Sequence, residues 1–395
     1  MKRRSSRPED EICRQPAALR HKPVTIGRIS GPAAAPGRQA EIWRAPSGHD
    51  SEDSEARTAG FSELNNLVMR MIHWHQSGNP MQGAFFKFID LVVYLRHPRL
   101  MLSYFRNMGY WPQVALPRNF NEKFLWRKVF DHDPRFPECI DKLRSKQHVR
   151  ARYPDVRLPE TIWEGSDPAA IPDSALAGNC VVKANHGCGW NLLVEAGNVN
   201  RSTVNRKGRK WMRRRYYGRR RMEWGYRDII PRLFVEEMVM DAGRPVDREY
   251  KCYIAGGTCV FVYMKVGRFG RTPLDVVFGP DGVSRVTRCS RRYDSVPFAK
   301  PENWNRIIAA AEEMGREFDS VRCDLYEIDG EIWFSEYTFY SDAGYDYIDW
   351  PEVYGQLGDL WDLRRSHFLL RDHKGLRQIY KRRLIRQLDA DAALD

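Results

Sequence analysis

Several chemistries are excluded by what the chain lacks. None of its eight cysteines (Cys13, Cys139, Cys180, Cys188, Cys252, Cys259, Cys289 and Cys323) forms a C-x-x-C pair, so neither a zinc cluster nor a thioredoxin-type motif is supported. Several of them lie inside apolar runs, as buried free thiols do, and this fits a reducing cytoplasm. No apolar run is long enough to span a bilayer. The strongest, residues 85–95, is short and carries Lys87 and Asp90. It reads as a buried helix, with a membrane-surface helix as the open alternative and peripheral contact with the inner face of the membrane as its consequence. Lys2-Arg3-Arg4 opens the chain, but no apolar h-region follows, so no secretory signal is expected. Also missing are the P-loop pattern G-x-x-x-x-G-K-[ST], the kinase catalytic loop and a strand-linked G-x-G-x-x-G.

What is present is a chain of 395 residues, 42% hydrophobic and 29% charged, enough for one large or two ordinary domains with a real core. Its mean hydropathy of -0.60 points to a soluble protein. The net charge is +13 with a pI near 9.4, and the excess is concentrated. Within 207–221 lie Lys207, Arg209, Lys210, Arg213, Arg214, Arg215, Arg219, Arg220 and Arg221, interleaved with Trp211, Tyr216 and Tyr217. Such a segment attracts an anionic polymer, whether nucleic acid, anionic lipid or acidic glycan. A solvated helix face is the plainer reading, and the patch names a charge type rather than a partner.

Residues 1–60 are rich in Arg, Ser, Pro, Gly and Ala without periodicity and read as a disordered basic tail. Apolar residues recur at helical spacing from Phe61 to about Met108, broken at Gly78-Asn79-Pro80 and His97-Pro98, which predicts two or three helices, and a loop through Trp111-Pro112 and Leu116-Pro117 closes this segment, 61–117. Asn119 or Asn121 is placed to cap the next helix, and another containing Asp141-Lys142 follows Pro137. Strands are expected at 158–163, at 180–184 resuming at 192–194 after a glycine loop, and at 232–238. Between the last two lies a basic helical insert near 201–232. Residues 249–254 and 258–263 read as a hairpin, and 302–318 as a helix with Asn303, Ile307, Ile308, Ala311, Met314 and Phe318 inward. Last comes a hairpin, 321–326 with 333–338, around Asp329-Gly330, the dipeptide a two-residue turn favours. Hairpins and helices without β-α-β alternation make the fold α+β.

The final hairpin carries the chemistry. Pairing its strands brings Asp324 and Glu336 onto one surface beside Arg322, and two close carboxylates call for a cation, of which phosphate-bridging Mg²⁺ is the usual one; a surface hairpin with scattered charges is the plainer alternative. Lys183 ends an apolar strand at a glycine loop, an expensive position unless an anion meets it. Backbone N–H groups in that loop can approach an anion closely. Loop residue His186 reads either as a base or phosphate donor, or as a histidine satisfied by backbone.

In order, Asn121-Glu122-Lys123, Asp141-Lys142, Val182-Lys183-Ala184-Asn185-His186-Gly187-Cys188-Gly189-Trp190-Asn191, Glu223-Trp224-Gly225-Tyr226, Val235-Glu236-Glu237, Tyr250-Lys251, Lys300-Pro301-Glu302-Asn303, Val321-Arg322-Cys323-Asp324-Leu325-Tyr326 and Glu336-Tyr337-Thr338-Phe339-Tyr340 resemble the TupA-like family of the ATP-grasp superfamily. That family is associated with bacterial teichuronopeptide and cell-surface polysaccharides. The resemblance runs from about Gly109 to about Gly355. It implies an ATP-grasp fold in which two α+β subdomains (118–240 and 241–350) sandwich the nucleotide, flanked by helical segments at 61–117 and 351–395. It implies ATP and Mg²⁺ as cofactors, with Lys142 and Lys183 on the phosphates, together with the loop of His186, Gly187 and Gly189. Glu236 and Glu237 would stand on the strand that holds adenine and ribose, and Glu249 at the ribose hydroxyls with Lys251 beside it. Asp324 and Glu336 would ligate the metal, and Arg322 would steady the transferred phosphoryl group. The implied activity is an ATP-dependent carboxylate–amine ligase acting on an acidic small-molecule or glycan-linked substrate. A transferase or kinase on the same fold, or a non-catalytic polyanion binder, are the alternatives. The chain departs from the superfamily pattern at Thr338, where many members carry Asn, which leaves the number of Mg²⁺ ions open.

Overall fold

The computed structural model describes residues 80–218, 221–267, 274–289, 292–294, 298–345 and 351–393. The chain divides into units 1–76 and 77–395. The first, with the expected tail and the start of the first helical segment, lies outside the described residues, as do Arg219 and Arg220 of the basic segment.

The helical signals resolve as α1 (Pro80–Arg96) and α2 (Pro98–Met108), divided where His97-Pro98 predicts a break. Phe86, Ile89 and Val93 turn one face of α1 inward, while Phe88, Leu91 and Leu95 remain exposed. The expected buried helix is therefore half-exposed. No helix among the described residues is long and apolar enough to cross a membrane.

Asn119 caps α3 (Phe120–Val129), its side chain accepting from the Glu122 amide. The segment after Pro134 becomes two helices instead of one, α4 (Arg135–Ile140) and α5 (Lys142–Arg152). Asp141 ends the first and caps the second, accepting from the amides of Leu143 and Arg144. The expected strand at 158–163 begins later, as β1 (Thr161–Gly165).

Four strands form one sheet in the order β1-β4-β2-β3, with β2 (Cys180–Ala184), β3 (Asn191–Val194) and β4 (Leu233–Glu237). The basic insert is α-helical over α6 (Arg201–Met212) and has a single 3-10 turn at Trp224–Tyr226 among its described residues; residues 213–218 are not helical. Arg209/Arg213 and Lys210/Arg214 would stack like charges at i,i+4 if the helix continued. Trp211 packs into the core under the four-stranded sheet, so it does not alternate with the exposed cations.

After a two-strand ribbon, β5 (Met240–Asp241) and β6 (Arg244–Pro245), come β7 (Glu249–Ala255), β8 (Thr258–Val266), β9 (Leu274–Phe278), β10 (Ser284–Cys289) and β11 (Arg292–Asp294). Then follow α7 (Trp304–Gly315), β12 (Ser320–Ile328) and β13 (Glu331–Thr338). They build a seven-stranded antiparallel sheet in the order β11-β10-β9-β8-β7-β12-β13. Asp329 and Gly330 connect β12 to β13 with φ of 51° and 80°, as a two-residue turn of positive φ requires.

Strand alternation gives this sheet two faces. Tyr250, Cys252, Ile254, Val262, Met264, Val321, Cys323 and Leu325 bury against α7 through Trp304, Ile307, Ala311 and Met314. Trp304 was not among the expected inward residues. Their sequence neighbours, including Lys251, Arg322 and Asp324, lie on the opposite face.

Helix α3 shares a core with Tyr253, Phe261 and Trp361, and α4 and α5 share one with Tyr250 and Phe334. Residues 120–152 thus pack on the seven-stranded sheet, although they precede the four-stranded sheet in sequence. The Asn121-Glu122-Lys123 motif works structurally. Asn121 donates to the Gly344 carbonyl and Lys123 to the carbonyls of Gly358 and Trp361 at the end of α8 (Pro351–Leu360). Glu122 accepts from the amides of Gln113 and Arg118. The chain closes with α9 (His367–Leu370) and α10 (Leu376–Ala392). Tyr380 of α10 accepts from the Trp126 indole at 2.7 Å.

Candidate active site

The polar face of the seven-stranded sheet forms the floor of a cleft of about 730 Å³. Register aligns Val277, Tyr263, Lys251, Asp324 and Glu336 in a single row across five strands. A second row carries Tyr253, Arg322 and Thr338, and a third carries Asp275, Lys265 and Glu249. The register slips by one residue beyond Asp324, a bulge that falls at Ser335. The Ser335 hydroxyl donates to Glu249 at 3.1 Å.

Charges on this floor interleave. Arg322 grips Asp324 with Nε to Oδ1 at 2.7 Å and Nη2 to Oδ2 at 2.8 Å, and also reaches the hydroxyls of Ser341 and Thr338. Lys251 bridges Asp324 at 2.5 Å and Glu249 at 2.9 Å. Lys142, the first residue of α5, donates to Glu336 Oε2 at 3.0 Å, and Arg322 stands 3.7 Å from Glu336 Oε1. Burial alone would favour the neutral acid at Glu336, but Lys142, Lys251 and Arg322 hold it well below the usual carboxylate range. Burial likewise opposes the charge on Lys251, and Asp324 and Glu249 outweigh it, raising the lysine.

The other wall comes from the four-stranded sheet. Lys183 on β2 and Lys146 on α5 both pair with the buried Glu236 of β4. Against burial, Lys183 and Lys146 together lower the Glu236 pKa. The anion that meets Lys183 within the chain is therefore Glu236, whose side chain is shared between two lysines. Glu237 accepts from the Glu160 amide at 2.8 Å. Met238, Val239, Pro245, Val246 and Val181 make this end of the cleft apolar.

Lys142, Lys183, Glu236, Glu237, Glu249, Lys251, Arg322 and Glu336 all line the cleft, and Asp324 lies fully buried beneath their partners. Of the glycine loop, Cys188, Gly189 and Trp190 line it and His186 does not. The His186 ring is buried, with Nδ1 against the Asn185 side chain and Nε2 against the Trp211 carbonyl, so the backbone-satisfied alternative describes it. Gly187 lies outside the lining too, and a Cβ there would meet the Trp190 ring at 2.5 Å; its role is to let that ring pack. Lys146 escaped the sequence reading, although it falls four residues after Lys142, one turn along the same helix face. Tyr263 and Lys265 also line the cleft and were not singled out, because only strand pairing places them beside Lys251 and Glu249.

Among the described residues no cluster of three or more His, Cys, Asp or Glu side chains is arranged to cage a metal. One pair of oxygen-bearing carboxylates facing each other across β12 and β13, with the Thr338 hydroxyl alongside, fits Mg²⁺, which takes one or two carboxylates and completes its shell with phosphate and water. A model of the TupA-like ATP-grasp family matches residues 122–361, a span that contains both walls of the cleft.

The chain belongs to the TupA-like ATP-grasp family.

It is thus an ATP-grasp enzyme, with ATP and Mg²⁺ as cofactors. No curated protein matches the chain. Among solved structures it is similar to the ATP-grasp ligase PsnB complexed with minimal precursor, at 14% identity over 68% of each chain with a TM-score of 0.31. It is also similar to a RimK domain ATP-grasp protein from Sphaerobacter thermophilus, at 14% identity over 57% of this chain and 67% of that one, TM-score 0.32. The D-alanine–D-alanine ligase of Bacillus anthracis matches at 17% identity over 51% of this chain and 56% of that one, TM-score 0.29. Likeness at this level is silent on substrate, and the assignment rests on the family match.

Proposed function

We propose that this ATP-grasp enzyme joins a carboxylate to an amine through an acyl-phosphate, in the assembly of a bacterial cell-surface polysaccharide or teichuronopeptide. The observation that carries the reading is the row Lys251, Asp324 and Glu336 with Arg322 and Lys142 around it. That row sets carboxylates for a divalent ion among cations for phosphoryl oxygens. Asp324 and Glu336 would hold Mg²⁺, which when bound neutralises charge on the phosphates.

Lys183 and Lys142 exchange their carboxylate partners for phosphate oxygens as the nucleotide enters. The substrate carboxylate forms a bond to the terminal phosphorus as the bond to ADP breaks, and Arg322 steadies the transferred group. The amine nitrogen then bonds to the acyl carbon; phosphate leaves with the bonding pair and takes up the surplus nitrogen proton. Phosphoryl transfer of this kind is chiefly positioning and charge neutralisation.

The exposed cations of 209–215 would dock an acidic polymer or precursor. The six cysteines whose side chains the structure describes are free, which fits a cytoplasmic location.

The test is ADP formation coupled to an amide product. Asp324→Ala and Glu336→Ala should each lower turnover by about a hundredfold or more, since one well-placed charge contributes about 3–4 kcal/mol of barrier lowering. A fully active double variant would overturn the assignment, and a stable phosphate ester in place of an amide would redirect it to a kinase.

A further inference from the structure

Near Glu336 and Cys188 the cleft is lined by a group of residues to which the reading above gives no role. Its wall there is made by Tyr216, Arg221, Glu223, Tyr226 and Asp342. The rings of Tyr216 and Tyr226 pack at 4.4 Å between centroids, and Trp190 extends the aromatic wall at 5.8 Å from Tyr216. Tyr226 feels both Glu223 and Glu336, so this region adjoins the carboxylate row.

Glu223 is only 4% exposed, and its Oε1 has no hydrogen-bond partner among the described residues. A buried carboxylate oxygen left without a donor is costly, and the cost is relieved when a ligand supplies the donor. Lys128 and Arg221 both lie near enough to influence Glu223, and Lys128 donates to the Ala343 carbonyl at 2.5 Å.

The second carboxylate, Asp342, is exposed on a bend fixed from α3 by Lys128 and by Asn121, which holds the Gly344 carbonyl at 3.1 Å. Asp342 and Ala343 hold φ of 40° and 55°, a conformation that non-glycine residues rarely adopt. Arg221 completes the set with an exposed guanidinium, whose fork suits a carboxylate.

Two carboxylates, one with an unfilled acceptor, call for an ammonium. A guanidinium beside them calls for an anion. Aromatic faces on the same wall favour a cation further.

We infer that this part of the cleft is the subsite for the amine substrate, and that it recognises an α-amino-acid head group, with Glu223 and Asp342 receiving the ammonium and Arg221 the carboxylate. The inference rests on the ligase reading above, because it makes the bound amine the acceptor of the acyl group: a carboxylate of the pair takes one ammonium proton, which frees the nitrogen lone pair for the acyl carbon, and the departing phosphate takes the second.

Saturation-transfer NMR on the full chain, with Mg²⁺ and a non-hydrolysable ATP analogue present, tests it with two probes. One is a mixture of the twenty free amino acids and the other is the same mixture acetylated at the α-amino nitrogen. Signals from at least one free amino acid and none from the acetylated set are expected. Glu223→Gln and the surface change Asp342→Asn should each weaken that binding about tenfold or more, while the thermal shift given by the ATP analogue persists. Equal signals from acetylated amino acids, or undiminished binding in both variants, would overturn the subsite. So would the absence of any amino-acid signal in a protein that still shows the nucleotide shift. Amino-acid binding without a nucleotide shift would instead retain the subsite and overturn the ligase reading.

Discussion

Lys183 shows how a charged residue can be both structural and available for chemistry. Its ammonium ends a buried strand and would be expensive there alone, but Glu236 meets it, and Lys146 meets Glu236 from the other side. Removing the shared anion leaves two cations facing each other in a largely buried site. Glu236→Gln is therefore expected to destabilise the fold by about 3 kcal/mol, read as a lowered midpoint in chemical denaturation. An unchanged midpoint would show that the lysines do not depend on Glu236. The ionised Glu236 contributes stability above its unfolded pKa, and that contribution falls away as pH drops through its lower folded value. At this scale the sequence was legible where strand ends met glycine or where carboxylates fell on facing strands, as at Lys183, Asp324 and Glu336. Lys146 was missed because its partner Glu236 lies ninety residues away. His186 misled because nothing local indicates that the Trp211 carbonyl would take its ring nitrogen.

Among the elements, α1 carries a half-buried acid whose behaviour can be isolated. Asp90 Oδ1 accepts from the amides of Val114 and Ala115, both at 2.8 Å, tying the loop before α3 to α1. Burial is the largest influence on its carboxyl and pushes it up to about 6 from an ordinary 3.8. A raised acid favours folding below its unfolded pKa, and that advantage is lost as pH rises through about 6. Asp90→Asn keeps the accepting oxygen and removes the charge. The variant should be more stable than wild type at pH 7.5 by about 1–3 kcal/mol, with the difference vanishing toward pH 4. A variant less stable at both pH values would show that the ionised form is needed.

The hairpin of β12 and β13 was legible because Asp-Gly fixes a turn locally, and the α1–α2 break because Pro98 does the same. The extent of α6 was not, since a run of cations looks helical in composition while repulsion between its turns opposes it beyond Met212.

For the molecule as a whole, two antiparallel sheets line one cleft, the smaller bringing Lys183 and Glu236 and the larger the row through Lys251, Asp324 and Glu336. The ordered series of short motifs was enough to anticipate this family, because most of them carry residues that line the cleft, while Asn121-Glu122-Lys123 and Lys300-Pro301-Glu302-Asn303 lie outside its lining. Sequence order did not reveal that α3, α4 and α5 pack on the larger sheet, because that pairing joins residues more than a hundred positions apart, such as Arg127 with Asp319.

The most direct test of the account is the thermal midpoint of the full chain with and without a non-hydrolysable ATP analogue and Mg²⁺, in wild type and in Lys183→Ala. At a hundredfold excess over its dissociation constant the analogue should add about 2.7 kcal/mol, a clear upward shift that requires Mg²⁺ and is lost in the variant. A folded wild type with no shift, or a shift that survives Lys183→Ala undiminished and without Mg²⁺, would contradict it.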